Sequence, residues 1–175
     1  MVPIRGLHHF AYRCRDAEET RRFYEDLLGL PLVHLVRAEL VPSTGEFCPY
    51  VHIFFRMCDG SHLAFFDLGD DVAAEPSANT PAWVNHIALL VDSTSELEAA
   101  RQKLEAADVP VVGITDHHFI RSIYFFDPNG IRLELTAFVG EPDYMSAKER
   151  SARAELGSWT EEKANRRRDS GVSQT

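Results

Sequence analysis

Two parts of this chain read as copies of one another, and that duplication restricts the fold more than any other feature. His9-Phe10-Ala11 aligns with His86-Ile87-Ala88, and Asp59 to Phe65 (DGSHLAF) aligns with Asn129 to Leu135 (NGIRLEL). The offset falls from 77 residues (His9 to His86) to 70 (Gly60 to Gly130), so the first copy carries about seven extra residues, most simply in the loop Val41 to Cys48. Matches this short arise by chance; the same order of elements around both is what persuades.

That order follows from local patterning. Leu7 to Cys14 reads as a strand, and Asp16 is placed to cap the helix Ala17 to Leu28, where Phe23, Leu27 and Leu28 recur at helical spacing before Gly29. Leu30 to Leu40 and Tyr50 to Met57 are extended runs, and Asp59-Gly60 turns the chain into the strand His62 to Asp67. The pattern then restarts with the strand Trp83 to Val91, a cap at Asp92 or Ser93, and a helix Leu97 to Ala107 with Leu97, Ala100, Leu104 and Ala107 on one face. Val109 to Ile114 is extended, His117 to Phe119 bends, and Ser122 to Phe126 forms a hairpin with the strand that follows Asp127-Pro128-Asn129-Gly130.

The expected fold class is therefore α+β: two βαβββ modules in pseudo-twofold pairing, forming a curved mixed sheet around a metal cleft. Residues 1–67 make the first module, 68–82 a linker rich in Asp, Ala, Pro and Ser, 83–139 the second module, and 140–175 a charged tail. Within the tail, Met145 to Leu156 is expected to form a short charged helix. Arg166-Arg167-Arg168 and the DSGVSQT that follows read as disordered, and the tail is expected to cover a neighbouring subunit or the pocket mouth.

A formal charge of -9 argues against nucleic-acid and anionic-membrane surfaces, which need clustered Lys and Arg. There is no signal peptide and no apolar run long enough to span a bilayer. Cys14, Cys48 and Cys58 have neither disulfide-framework nor metal-knuckle spacing, which fits a reducing, cytoplasmic setting.

The chemistry begins at Glu134, a lone carboxylate between Leu133 and Leu135, costly to ionise in a buried strand unless something cationic faces it. Period-two alternation puts His9, Ala11 and Arg13 on one strand face, and His86, Ala88 and Leu90 on the equivalent face of the second module. If the modules pair with pseudo-twofold symmetry, His9, His86 and Glu134 converge. Two neutral imidazoles and one carboxylate form the facial triad suited to non-haem Fe(II). Ala64 stands where Glu134 stands in the second copy, so positions on the ion stay open for substrate and O2. Taken singly, a strand histidine is usually a satisfied structural residue. Arg13 can meet an anionic substrate or make a salt bridge across the sheet, and Phe54, Phe55, Phe65 and Phe66 build core or line an aromatic pocket.

The duplicated βαβββ, the opening LHHFAYRCRD, FYEDLLGL at the end of the first helix and SIYFFDPNGIRLEL near the end resemble the vicinal oxygen chelate superfamily over roughly residues 5 to 138. That superfamily holds glyoxalases, fosfomycin- and bleomycin-resistance proteins and type I extradiol dioxygenases. The resemblance implies metal ligands at His9, His86 and Glu134. His9 is preferred to His8 by its spacing to Asp16. Glyoxalase I usually takes a fourth ligand from the first module, which Ala64 cannot supply.

Extradiol dioxygenases have the His, His, Glu set and a tyrosine four residues before the hairpin proline, matched by Tyr124. Their acid-base histidine has no clean match among His52, His62 and His118. His118 is the choice here, because it lies just before the Tyr124 strand.

The resemblance thus implies an extradiol ring-cleaving dioxygenase, resembling the one-domain form, that uses a divalent metal. Fe(II) is first in line, with Mn(II) or another divalent ion behind it. Its partners would be O2, a catechol-like aromatic of the 2,3-dihydroxybiphenyl type and further copies of the chain, a dimer in the first instance. The alternatives are a glyoxalase-like isomerase or epimerase, a thiol transferase acting on an antibiotic, and a protein that sequesters a small molecule.

Overall fold

The computed structural model describes residues 2–169. Eight strands and three helices follow in the order β1 (His9–Arg13), α1 (Ala17–Arg21), β2 (Leu32–Leu40), β3 (Phe47–Arg56), β4 (His62–Asp67), β5 (Ile87–Val91), α2 (Thr94–Ala106), β6 (Val112–Asp116), β7 (Ile120–Phe126), β8 (Arg132–Phe138) and α3 (Tyr144–Asp169). They build two four-stranded mixed sheets, ordered β1-β4-β3-β2 and β5-β8-β7-β6, the α+β two-module architecture expected. No described helix is long and apolar enough to cross a membrane.

The two sheets repeat one register. In each, the first strand runs parallel to the last and the remaining pairs are antiparallel, with Ala11 opposite Ala64 and Phe54 opposite Ala64 in the first sheet. In the second, Ala88 lies opposite Glu134 and Tyr124 opposite Glu134. The extra residues of the first copy sit in the β2–β3 hairpin. They lengthen its strands to 9 and 10 residues, against 5 and 7 for β6 and β7, as well as supplying its loop.

The helices start where the capping residues direct. Asp16 accepts a hydrogen bond from the Glu19 N–H at 2.6 Å, and Ser93 accepts one from the Glu96 N–H. The first helix differs from expectation in its second half, where Arg22–Leu27 is wound as a π-helix and the Leu28 N–H reaches the Phe23 carbonyl. Phe23 and Tyr24, adjacent in the chain, are both buried there.

A single apolar core joins the modules. Phe23, Tyr24, Phe55 and Phe65 from the first belong to one cluster with Leu97, Leu104, Phe125 and Leu133 from the second. Each such side chain, fully buried, contributes roughly 1.5–3 kcal/mol. The polar contacts crossing the boundary all come from the helix side. The Tyr24 hydroxyl donates to Asp127 Oδ2 at 3.0 Å, the Arg15 N–H donates to Asn129 Oδ1, and Lys103 Nζ reaches the Leu27 carbonyl. Asp127 is buried, and it also accepts from the Asn129 and Ile131 backbone N–H groups. Desolvation nevertheless pushes its carboxyl above the usual range.

The tail departs from expectation. α3 runs unbroken to Asp169, well beyond Leu156 and through the three arginines, so the helix was read too short. It makes local pairs such as Ser151 to Glu155 and contains no proline. The remaining part of the segment read as disordered, 170–175, lies outside the described residues.

Candidate functional site

Glu134 is the residue that the second module is built around. On β8, Leu133 and Leu135 point into the core, while Glu134 points to the opposite sheet face and is still only 4% exposed. A carboxylate held this far from water needs partners, and it has them. Its Oε2 lies 3.0 Å from His86 Nε2, and the Ser122 hydroxyl, itself fully buried, donates to Oε1. Ser122 Oγ is also 3.1 Å from Thr136 Oγ1. Neither serine nor threonine was singled out from sequence. A small hydroxyl in an aromatic strand is unremarkable until the β7–β8 register sets it beside Glu134.

His86 is held so that one ring nitrogen is committed. Nδ1 lies 2.9 Å from the Val84 carbonyl, so Nδ1–H donates to it and Nε2 is the nitrogen turned to the Glu134 carboxylate. A backbone carbonyl orienting the far nitrogen is the usual support of a metal-ligating imidazole.

Tyr124, directly across the β7–β8 pair from Glu134, has its ring 6.2 Å from that of His86 and beneath the Arg132 guanidinium at 4.4 Å. Burial, followed by the charge on Glu134, raises its phenol pKa. The histidine that meets it is His117, whose Nε2 lies 2.8 Å from the Tyr124 hydroxyl. The expected neighbour, His118, does not make this contact. His118 takes a left-handed backbone (φ 72°) at the β6–β7 turn, is exposed, and gives its backbone N–H to Asp116. Of two adjacent histidines at a bend, sequence alone does not say which one the turn aims back at the sheet.

His9 lies elsewhere. Its ring stands 5.9 Å from that of His52 and 5.4 Å from that of Phe54, on the first sheet, and its Nδ1 is 2.7 Å from His8 Nδ1. The convergence of His9 with His86 and Glu134 does not occur within the chain: no three His, Cys, Asp or Glu side chains gather to hold an ion among the described residues. The physical reason is the shared core. The helix-bearing faces of both sheets turn toward it, so the faces carrying His9 and Glu134 turn away.

His52 stacks on Phe66 at 3.7 Å and is 9% exposed, and its Nε2 is a buried polar atom with no hydrogen-bond partner. Desolvation, with His9 and His34 nearby, lowers its pKa to about 4. The His62 ring, at the end of β4, tilts toward that of His8. Arg13 is engaged by Asp70 and by the Val72 carbonyl, which ties the linker to the first sheet. Between that linker and the second sheet lies a cavity of about 250 Å³ whose wall includes Tyr12, Thr80, Asn85, His86, Phe126 and Arg132.

Comparison with known proteins bears on this arrangement. Residues 6–135 match the family model described as Glyoxalase/Bleomycin resistance protein/Dioxygenase superfamily. A Bacillus subtilis (strain 168) protein named "Putative ring-cleaving dioxygenase MhqA" is 27% identical over 139 residues, covering 78% of this chain and 41% of that protein. The chain therefore spans about two fifths of the length of the curated relative it matches.

Among solved structures, the glyoxylase/bleomycin resistance protein/dioxygenase domain from Frankia sp. EAN1pec superposes with a TM-score of 0.63 at 16% identity, covering 78% of this chain and 100% of that one. A mutant of the fosfomycin resistance protein FosX from Listeria monocytogenes, complexed with Mn(II) and 1S,2S-dihydroxypropylphosphonic acid, gives 0.58 at 21% identity, covering 78% and 95%. At these identities the structural likenesses speak for the fold alone.

Proposed function

Because this chain belongs to the Glyoxalase/Bleomycin resistance protein/Dioxygenase superfamily, we propose that it is a metal-dependent extradiol dioxygenase opening a catechol-like aromatic ring with O2. The observation that carries this reading is the buried Glu134 carboxylate, paired with an oriented His86 and flanked by the Tyr124–His117 hydrogen bond. The distant relative named for ring cleavage agrees with it. Ala64, fully buried at the position equivalent to Glu134, agrees too, since it offers no fourth donor.

The donor set fits a divalent ion. Glu134 is buried and already served on one oxygen by Ser122, while His86 presents Nε2 beside the other. His86 and Glu134 would supply one imidazole and the carboxylate of a set suited to Fe(II), or Mn(II) in its place. When bound, such an ion supplies Lewis acidity and an electron path between a chelated catecholate and O2.

The chain's own groups orient and move protons. The Tyr124 hydroxyl donates a hydrogen bond toward an oxygen of the substrate, and His117, whose Nε2 lies against the phenol oxygen, replaces the proton when the phenol gives it up. Arg132 over the Tyr124 ring fixes the ring's plane and adds positive charge beside an anionic substrate. Leu90, Phe126 and Phe138, exposed on the same sheet face, supply apolar contact for an aromatic ring.

The test is anaerobic loading with Fe(II) followed by 2,3-dihydroxybiphenyl, with oxygen uptake and visible absorbance recorded together. Oxygen consumption with a yellow ring-opened product, abolished by Glu134→Ala, is the expected result. Stoichiometric metal without uptake across several catechols would replace this reading with an isomerase or transferase one.

A further inference from the structure

Near the His86–Glu134 pair stands a cation that no carboxylate of the described chain neutralises. Resting on the ring-cleavage reading, we propose that the substrate carries a carboxylate, and that the cavity beside His86 seats this group on the Arg132 guanidinium.

Arg132 stands apart from the other sheltered arginines. Four arginines are half-buried among the described residues, Arg13, Arg21, Arg101 and Arg132. The first three each meet a carboxylate, Asp70, Glu18 and Glu105 respectively. Arg132 meets none: its guanidinium lies over the Tyr124 ring and makes no ion pair among the described residues. In a chain of net charge -9 that pairs its other half-buried arginines with its own acids, this one is left open to an anion from outside.

Its position is that of a substrate contact. Arg132 and Glu134 are two residues apart on β8 and share the site-bearing face, roughly 6–7 Å from each other along the strand. Arg132 and His86 both line the cavity of about 250 Å³, and His86 turns its Nε2 to Glu134. One recess therefore joins the imidazole of the site to the guanidinium. A cavity of about 150 Å³ is enough to hold benzene, so this one has room for a single ring with a short acidic arm.

The rest of the wall suits such a group. Tyr12 and Phe126 add aromatic surface, and the Asn85 side-chain amide has no hydrogen-bond partner among the described residues, which leaves it free to donate to a carboxylate oxygen. Glu75 is the one carboxylate on the wall, and it is exposed on the linker. That linker is clasped to the first sheet by Arg13, which binds Asp70 and the Val72 carbonyl. The spacing also selects the isomer. A diol at His86 and Glu134 and a carboxylate on Arg132 fall at opposite ends of the ring, as in 3,4-dihydroxyphenylacetate.

Two pairs of probes test this. 4-Hydroxyphenylacetate and its amide, alike in size and different in charge, are titrated into the protein by calorimetry. 3,4-Dihydroxyphenylacetate and its amide are given to the Fe(II)-loaded protein with oxygen uptake recorded. The acid should bind about 10- to 100-fold more tightly than the amide, and kcat/KM should favour the acid catechol by a similar factor carried by KM. In Arg132→Gln the ratio of acid to amide should fall to near one, and in Arg132→Lys it should be partly restored. Circular dichroism confirms the fold of both, and Arg132→Met repeats the measurement should the glutamine variant fail to fold.

Equal binding of acid and amide by the wild type, no heat from either, or a ratio that survives Arg132→Gln would overturn the carboxylate subsite. Oxygen uptake with both catechols would in that case leave ring cleavage standing. A preference for the acid that is lost in Arg132→Gln, with no oxygen uptake from either catechol, would do the reverse: ring cleavage would fall and the anion subsite would stand.

Discussion

The two sheets occupy their equivalent positions with different chemistry. Glu134 answers to Ala64, Tyr124 to Phe54, Ser122 to His52 and Thr136 to Phe66, each pair occupying the same place in matching registers. His86 and His9 keep one residue type at equivalent places, as do Ala88 and Ala11. The first sheet carries aromatic and imidazole groups there; the second carries a carboxylate and the hydroxyls that steady it. One backbone plan thus serves as wall and as anchor, and the division lies in four side chains.

The largest effect should come from making the second sheet resemble the first at its phenol. Tyr124→Phe, which removes the hydroxyl facing His117, should lower kcat by about 100-fold or more while metal content stays at the wild-type level, because it deletes a proton-transfer group and no ligand. His118→Ala should leave both unchanged. Parallel rate and metal measurements on the two variants separate the adjacent histidines' surroundings.

Next in size is Ser122→Ala, which takes away the hydroxyl donating to Glu134. A loss of about 10- to 100-fold in Mn(II) affinity is expected by titration calorimetry, with the fold intact.

The converse exchange, Ala64→Glu, places a carboxylate where a fully buried alanine packs near His52 and Phe54. Overpacking alone should cost about 1–3 kcal/mol, read as a lower urea midpoint. Unchanged stability would mean that the first sheet is as ready for an anchor as the second, and would erase the comparison.

The smallest effect concerns a carboxyl on the core side. Asp127 has its folded pKa raised by burial, so the folded state holds that proton more tightly than the unfolded chain. Its contribution to stability therefore improves as pH falls through the raised value and weakens as pH rises above it. The stability of the wild type relative to Asp127→Asn should be greater at the acid end of the folded range than at neutral pH, measured by urea midpoints at both.

What was legible in the sequence follows from what is local. Asp16 and Ser93 cap helices through their own side chains, and the Asp-Gly and Asn-Gly turns set β4 and β8 in register, so the duplicated plan could be read directly. The pairing of Glu134 with His86 was legible for the same reason, since aligned repeats put both on one sheet face. Three things were not legible in this way.

The Tyr24–Asp127 hydrogen bond, spanning 103 residues, helps to set the modules against each other through their helix side and so separates His9 from Glu134. The left-handed turn at His118 decided that His117 meets Tyr124. The helical continuation of the tail lacked an apolar periodicity to reveal it, because α3 is exposed along most of its length.

The common core has a consequence for dissection. Since Phe23 and Tyr24 complete a cluster that Phe125 and Leu133 also need, neither repeat is an autonomous folding unit. Cutting the chain within residues 68–82 should yield two fragments that are sticky and poorly ordered apart, yet recombine when mixed. Unfolding of the intact chain should be one cooperative transition, with both halves melting together despite their different surfaces.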